Sequence, residues 1–251
     1  MSQSAILTAS GIRAKKNREI LAVLTAYDYP SALMIDGVGL DIVLVGDSLG
    51  EVIHGFPDTT HVTTELMCLH TAAVRRGLKQ THLMADMPFH TYEDPVSALE
   101  NARRLIRVGA DSLKLENPKT EVVETLVAEG IAVFGHVGLT PQTIHPYKKQ
   151  GKDPESAKRI LNEAKRQEAA GCFGLVIEAV PDELASEITH SLAIPTVGIA
   201  AGTGVDGQVL VFHDLFGFYA RDRSYVKKRA DVFGSVEKAA RDYVASVKNK
   251  L

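Results

Sequence analysis

Six side chains able to do acid, base or ligand chemistry stand at the ends of short apolar runs. Asp47, within Gly46-Asp47-Ser48, follows Asp41–Val45, and Asp86 follows His82–Ala85. Lys114 and Glu116 close Asp111–Leu115, His136 follows Ile131–Gly135, and Glu178 follows Gly174–Ile177. Carboxylates crowded into one cavity repel one another and call for a cation. Asp47, Asp86 and Glu116 offer only hard oxygen ligands, a donor set suited to Mg²⁺ with water or substrate oxygens in the remaining positions. Zinc wants His or Cys beside them, and His136 alone does not supply that. Lys114 and Glu116 are two apart and share one face of a strand. Lys114 can therefore bind an anionic substrate group beside the metal. A Schiff-base lysine is a second reading, less attractive next to metal ligands. The bland alternative is that strand-terminal Asp residues cap the next helix. Asp47 and Asp86 fit that poorly, because each lies far in sequence from the helix expected after it.

Such residues meet only if the runs are strands of one sheet. Ile20–Thr25, Asp41–Val45, His82–Ala85, Asp111–Leu115, Ile131–Gly135, Gly174–Ile177, Pro195–Ile199 and Val209–Phe212 are the expected strands. Helical patterns separate them: Pro30–Asp36, Thr63–Arg76, Asp94–Val108, Thr120–Glu129, Pro154–Ala170 and Pro181–Ser191, with Ser235–Lys248 at the end. Asp94 and Asp153 cap two of these, each with Pro in the first turn and Gly after the last. Alternating strands and helices predict a parallel α/β fold. The length favours a (β/α)8 TIM barrel over a doubly wound open sheet, with Ala9–Arg18 as an N-terminal helix covering the barrel floor. No linker or internal repeat divides the chain, so residues 1–251 are expected to form a single domain.

Composition narrows the function. Of 251 residues, 45% are hydrophobic and 24% charged, and 28 basic against 31 acidic residues give a net charge of −3. This argues against nonspecific nucleic-acid or anionic-membrane binding. Cys68 and Cys172 form no disulfide framework, which fits a reducing, cytoplasmic setting. Neither a secretory signal nor an apolar membrane span is visible. Gly198–Gly207 has the look of a phosphate cradle but lacks the P-loop residues, so a tight turn is as good a reading. His54, His61 and His70 read as surface or helix residues. His213-Asp214 reads as a cap, and Tyr27-Asp28 as either cavity lining or a helix cap.

Several segments together resemble the ketopantoate hydroxymethyltransferase family. They are Leu24–Ala32 (LTAYDYPSA), Val45–Gly50 (VGDSLG), Ala85–Phe89 (ADMPF), Gly109–Asn117 (GADSLKLEN), Gly135–Gln142 (GHVGLTPQ), Ile177–Pro181 (IEAVP) and Ile194–Gly202 (IPTVGIAAG). The resemblance runs from about Thr25 to Gly217; the tail beyond is not diagnostic. It implies a barrel of the phosphoenolpyruvate/pyruvate type. It implies transfer of a hydroxymethyl group from 5,10-methylenetetrahydrofolate to 3-methyl-2-oxobutanoate, giving 2-dehydropantoate on the way to pantothenate and coenzyme A. It implies Mg²⁺ on Asp47, Asp86 and Glu116, and the oxoacid held among Asp47, Ser48, Asp86 and Lys114. Glu178 is the implied proton acceptor, and His136 a pocket residue of open role. Ring-like homo-oligomers, commonly decamers, are implied as well. A carbon–carbon lyase or phosphonate mutase on the same metal–oxoacid platform is an alternative. Such lyases often use a loop cysteine as acid, and neither Cys68 nor Cys172 follows a strand. A non-catalytic oxoacid-binding protein is the third reading, disfavoured by the extra carboxylate of Glu178.

Overall fold

A computed structural model describes residues 6–219 and 223–249. Eight parallel strands close into a barrel in sequence order. They are β1 (Leu21–Thr25), β2 (Ile42–Val45), β3 (His82–Asp86), β4 (Ser112–Lys114), β5 (Val133–Gly138), β6 (Gly174–Glu178), β7 (Thr196–Ile199) and β8 (Gly207–Leu210). Parallel neighbours need a crossover between them. α1 (Ala9–Arg13) precedes β1, and helices fill most crossovers: α2 is Tyr29–Ile35, α3 Leu49–Val52, α4 Thr64–Gly77, α5 Pro95–Arg107, α6 Thr120–Ala128, α7 Pro154–Ala169 and α8 Asp182–Ser191. Strands β2, β3 and β5 are buried at every position, as parallel strands walled in by helices must be. That explains why the sequence shows them as mainly apolar runs without polar alternation.

Chain packing separates two compact units, one ending at Val209 and the other beginning at Leu210. The barrel core belongs to the first. The second carries α9 (Phe212–Leu215) and α10 (Val232–Lys248). Asp231 caps α10 through the Gly234 amide, and no residue of α10 is buried. His213-Asp214 lies inside α9 rather than capping it.

Inside the barrel, Leu21, Val23, Ile42, Leu44, Met84, Phe134, Val176 and Val197 form one apolar cluster, which Ile12 of α1 joins from the N-terminal side. Side chains after α1 lock it to the beginnings of strands. Lys15 pairs with Asp41 before β2 at 2.7 Å, and Lys16 pairs with Asp206 before β8 at 2.7 Å. The N-terminal helix thus covers the floor and leaves the opposite rim for chemistry.

Local boundaries differ from expectation in places. α1 stops at Arg13 instead of Arg18, because Lys15 and Lys16 turn to their carboxylates and Asn17 takes a left-handed φ of 61°. β5 runs on to Gly138, since His136, Val137 and Gly138 still pair with Val176, Ile177 and Glu178; His136 is inside the strand. β8 is shifted to Gly207–Leu210, and Phe212 already starts a helix. The capped helices are as expected: Asp94 accepts from Val96 and Ser97 amides, and Asp153 from Ser156.

Candidate active site

The barrel delivers all six side chains to one rim. Asp86, Lys114 and Glu178 are the last residues of β3, β4 and β6. Asp47 and Glu116 lie two residues beyond β2 and β4. Asp86 and Lys114 are register partners on adjacent strands, which places Lys114 Nζ 3.1 Å from Asp86 Oδ1 and 4.0 Å from Glu116 Oε1. His136 bridges to the next pair: Nδ1 is 3.5 Å from Glu116 Oε1 and Nε2 is 3.3 Å from Glu178 Oε2. A line of charge therefore runs Asp86–Lys114–Glu116–His136–Glu178. Asp47 joins through its backbone, whose N–H donates to Asp86 Oδ2 at 3.0 Å. Ser48 follows Asp47 at the start of α3, a short helix the sequence patterns do not reveal. Asp47 is thus near a helix start, yet its carboxylate makes its hydrogen bond with Gln142 instead.

Burial sets the electrostatics. Asp47, Asp86, Lys114, Glu116 and His136 are all nearly inaccessible, whereas the Glu178 side chain keeps 21% of its exposure. Glu178 is thus the carboxylate a small substrate can reach from outside. Burial, then repulsion from Asp86 and Glu116, pushes the Asp47 carboxyl well above its ordinary range; Lys114 and Gln142 do not compensate. Burial likewise raises Asp86 against the pull of Lys114. For Glu116, burial loses to His136, Lys114 and the Gln142 amide, and its carboxyl sits below the usual range. Lys114 is held charged: burial opposes it, and three carboxylates outweigh burial. The His136 imidazole is raised in the same way, with Glu116 and Glu178 overcoming burial and Lys114.

Three buried atoms here, Asp86 Oδ1 and both ring nitrogens of His136, have ion-pair neighbours without an aligned hydrogen bond. Buried polar atoms short of partners are costly. Oxygen-only donors, under-coordinated and carrying excess negative charge, fit a hard divalent cation. Among the described residues no three His, Cys, Asp or Glu side chains close into a ready-made cage. Mg²⁺ does not demand one, since it keeps several waters and takes one or two carboxylates directly.

Sequence reasoning missed several groups that hold this site. Gln142, on the connection after β5, donates from Nε2 to Asp47 Oδ2 at 2.8 Å and from its backbone N–H to Glu116 Oε2 at 3.0 Å. The Tyr92 hydroxyl, before α5, donates to Gln142 Oε1. Gln167 of α7 clamps the His136 backbone, accepting from its N–H at 3.0 Å and donating to its C=O at 3.1 Å. A signal for Gln167 did exist: it falls in line with Ile160 and Ala164 on the buried face of α7, where an amide needs a reason. The two readings of Tyr27-Asp28 divide. Asp28 caps α2 with Ser31 in a reciprocal capping box, while fully buried Tyr27 brings its hydroxyl 2.8 Å from Ser48 Oγ.

The other candidates are not partners of these six side chains, although His70 Nδ1 reaches the backbone carbonyl of Tyr27. His54, His61 and His70 gather around Phe56 and one another. Gly198–Gly207 runs from the end of β7 through the connection to the first residue of β8, and Gln208 tightens it by donating to the Gly202 carbonyl. Cys68 is within α4, and Cys172 precedes β6 at the floor end; both thiols are free. No cysteine is placed as a loop acid. Asn117, Ala179 and Ala200, each just beyond β4, β6 or β7, have left-handed φ of 40°, 47° and 52°. Such strain in non-glycine residues gathers at functional rims.

The family model of ketopantoate hydroxymethyltransferase matches residues 7–251. A relative from Thermococcus kodakarensis named 3-methyl-2-oxobutanoate hydroxymethyltransferase is 46% identical over 248 residues, covering 96% of this chain and 87% of that protein. Among solved structures, 2,3-dimethylmalate lyase, a PEP mutase/isocitrate lyase superfamily member, matches with a TM-score of 0.62 and 15% identity over 96% of this chain and 87% of that one. A phosphonopyruvate hydrolase in complex with oxalate and Mg²⁺ matches with a TM-score of 0.65 and 12% identity, again over 96% and 87%. The structural likenesses establish the shared barrel. With the family model spanning nearly the whole sequence, the chain belongs to the ketopantoate hydroxymethyltransferase family.

Proposed function

We propose that this chain is an enzyme transferring a hydroxymethyl group to 3-methyl-2-oxobutanoate to form 2-dehydropantoate, with 5,10-methylenetetrahydrofolate as the one-carbon donor and Mg²⁺ at the site. Water completes the balance: oxoacid, methylenetetrahydrofolate and water give 2-dehydropantoate and tetrahydrofolate. The observation that carries this reading is the split between a buried carboxylate–lysine cluster and one reachable carboxylate. Asp47, Asp86 and Glu116 are the residues to hold Mg²⁺, which when bound supplies Lewis-acid polarisation of the oxoacid's keto oxygen.

Lys114, kept charged, and Ser48, oriented by Tyr27, are placed to hold the oxoacid carboxylate and fix its direction. Glu178 accepts the C3 proton. His136 contacts Glu178 at 3.3 Å and is held by Gln167, so it orients that base and offers it a proton partner. The carbanion-like C3 then forms its bond to the one-carbon unit as that carbon gives up its bonds to the two folate nitrogens; water supplies the hydroxyl oxygen, and the C3 proton and one water proton end on the nitrogens. A ring-like homo-oligomer, a decamer, is the assembly that family membership suggests. The test is to incubate the protein with 3-methyl-2-oxobutanoate, methylenetetrahydrofolate and Mg²⁺ and to follow 2-dehydropantoate by mass spectrometry. Stoichiometric product that disappears in Asp86→Asn supports the reading. Product formation that survives in Asp86→Asn, or no product from the wild type, overturns it.

A further inference from the structure

Gln142 is 2% exposed and every polar atom of its side chain is engaged. Nε2 donates to Asp47 Oδ2 at 2.8 Å and to the Met87 carbonyl at 3.0 Å. Oε1 accepts from the Tyr92 hydroxyl. The Tyr92 oxygen also accepts from the Glu116 N–H at 3.3 Å and stands 3.4 Å from the Glu116 carbonyl oxygen, a second acceptor for its proton. The other end of the carboxamide settles its orientation, because Asp47 Oδ2 and the Met87 carbonyl are both acceptors and only the NH₂ group can donate to them. A flipped amide would set Oε1 against Asp47 Oδ2, two acceptors facing each other, and strip Asp47 of its donor.

The consequence reaches the carboxylates as a set. Asp47 Oδ2 is held by Gln142 Nε2, Glu116 Oε2 by the Gln142 backbone N–H, and Asp86 Oδ2 by the Asp47 N–H. One oxygen of each is thereby tied to a neutral donor. The second oxygens of Asp86 and Glu116 turn toward Lys114. Neutral donors orient a carboxylate without cancelling the charge a cation needs; a Lys or Arg in place of Gln142 would compete with the cation.

We infer that Gln142, locked by Tyr92, is a positioning residue that sets the cation affinity of the Asp47, Asp86 and Glu116 group. The inference rests on the reading that these carboxylates hold the metal, and the experiment separates the two. Mn²⁺, standing in for Mg²⁺, is titrated into the full chain and free ion is followed by electron paramagnetic resonance. Gln142→Ala should weaken Mn²⁺ binding about 10–100-fold, the usual effect of removing a group that orients a ligand. Tyr92→Phe, which removes one hydroxyl, should give a smaller loss. The double variant should lose less than the product of the single losses, since Tyr92 acts through Gln142. Turnover of Gln142→Ala should recover at high Mn²⁺, which a merely structural defect would not do. Wild-type affinity in both single variants, with binding lost in Asp86→Asn, would overturn the inference and leave the metal site standing. Fully multiplicative losses would break the link from Tyr92 through Gln142. Unchanged binding in Asp86→Asn would remove the metal-site reading itself.

Discussion

Asp47 and Asp86 are carried at a cost to the fold. Each is buried beside other carboxylates, and Lys114 does not restore the balance. A carboxyl whose folded-state pKa is raised contributes stability that is fully present below its unfolded pKa, near 4, and lost as pH rises through the folded value. Without metal, Asp47 should therefore weaken the fold at neutral pH. Asp47→Asn keeps an acceptor for Gln142 Nε2 and removes the charge. In EDTA at pH 7 the variant should melt higher than wild type, by roughly 2–4 °C for a gain of about 1 kcal/mol. The difference should vanish near pH 4, and turnover should be lost. A lower melting point for the variant in EDTA at pH 7 would contradict this. Residues that stabilise function and burden the fold are the usual trade at active sites.

At the scale of elements, the strand end is the working unit. Alternation of strand and helix, the Asp-Pro helix starts and the strand-end acids were legible in the sequence, because burial on both faces and capping leave local patterns. The site's inner supports were not. Gln142 and Tyr92 lie in connections without periodicity, and their roles follow from partners 24 to 95 positions apart. α3 is a four-residue helix without a side-chain cap, too short to show an amphipathic period. The extension of β5 depends on pairing with β6 rather than on its own residues. That pairing carries a prediction. Gly138 has φ of 97°, and a Cβ there would lie 2.3 Å from the Glu178 carbonyl oxygen. Gly138→Ala must push the end of β6 aside and move Glu178. We expect turnover to fall about 100-fold, as misplacement by about 1 Å can do, with Mn²⁺ binding retained. Wild-type turnover in a folded Gly138→Ala would show that the β5–β6 junction does not set the base.

For the whole molecule, the barrel separates a floor that maintains the fold from a rim that does chemistry. Lys15, Lys16 and Ile12 serve the floor, and the charged line from Asp86 to Glu178 serves the rim. The thiols report the same division. Cys172 is buried, and burial pushes its pKa up to about 12; Cys68 in α4 is half-buried. Ellman's reagent at pH 8 should label Cys68 in the native protein and reach Cys172 only on unfolding. Rapid labelling of both in the native state would refute the packing described at the entry to β6. The proposed reaction turns on one chemical event, removal of the C3 proton of 3-methyl-2-oxobutanoate by Glu178. Proton NMR of that oxoacid in D₂O, with the protein and Mg²⁺ but no folate, observes the event by itself. The C3 signal should disappear at an enzyme-dependent rate with wild type, and persist with Glu178→Gln although Mn²⁺ still binds. Persistence with the wild type, or exchange undiminished in Glu178→Gln, would contradict the proton-transfer role assigned to this rim.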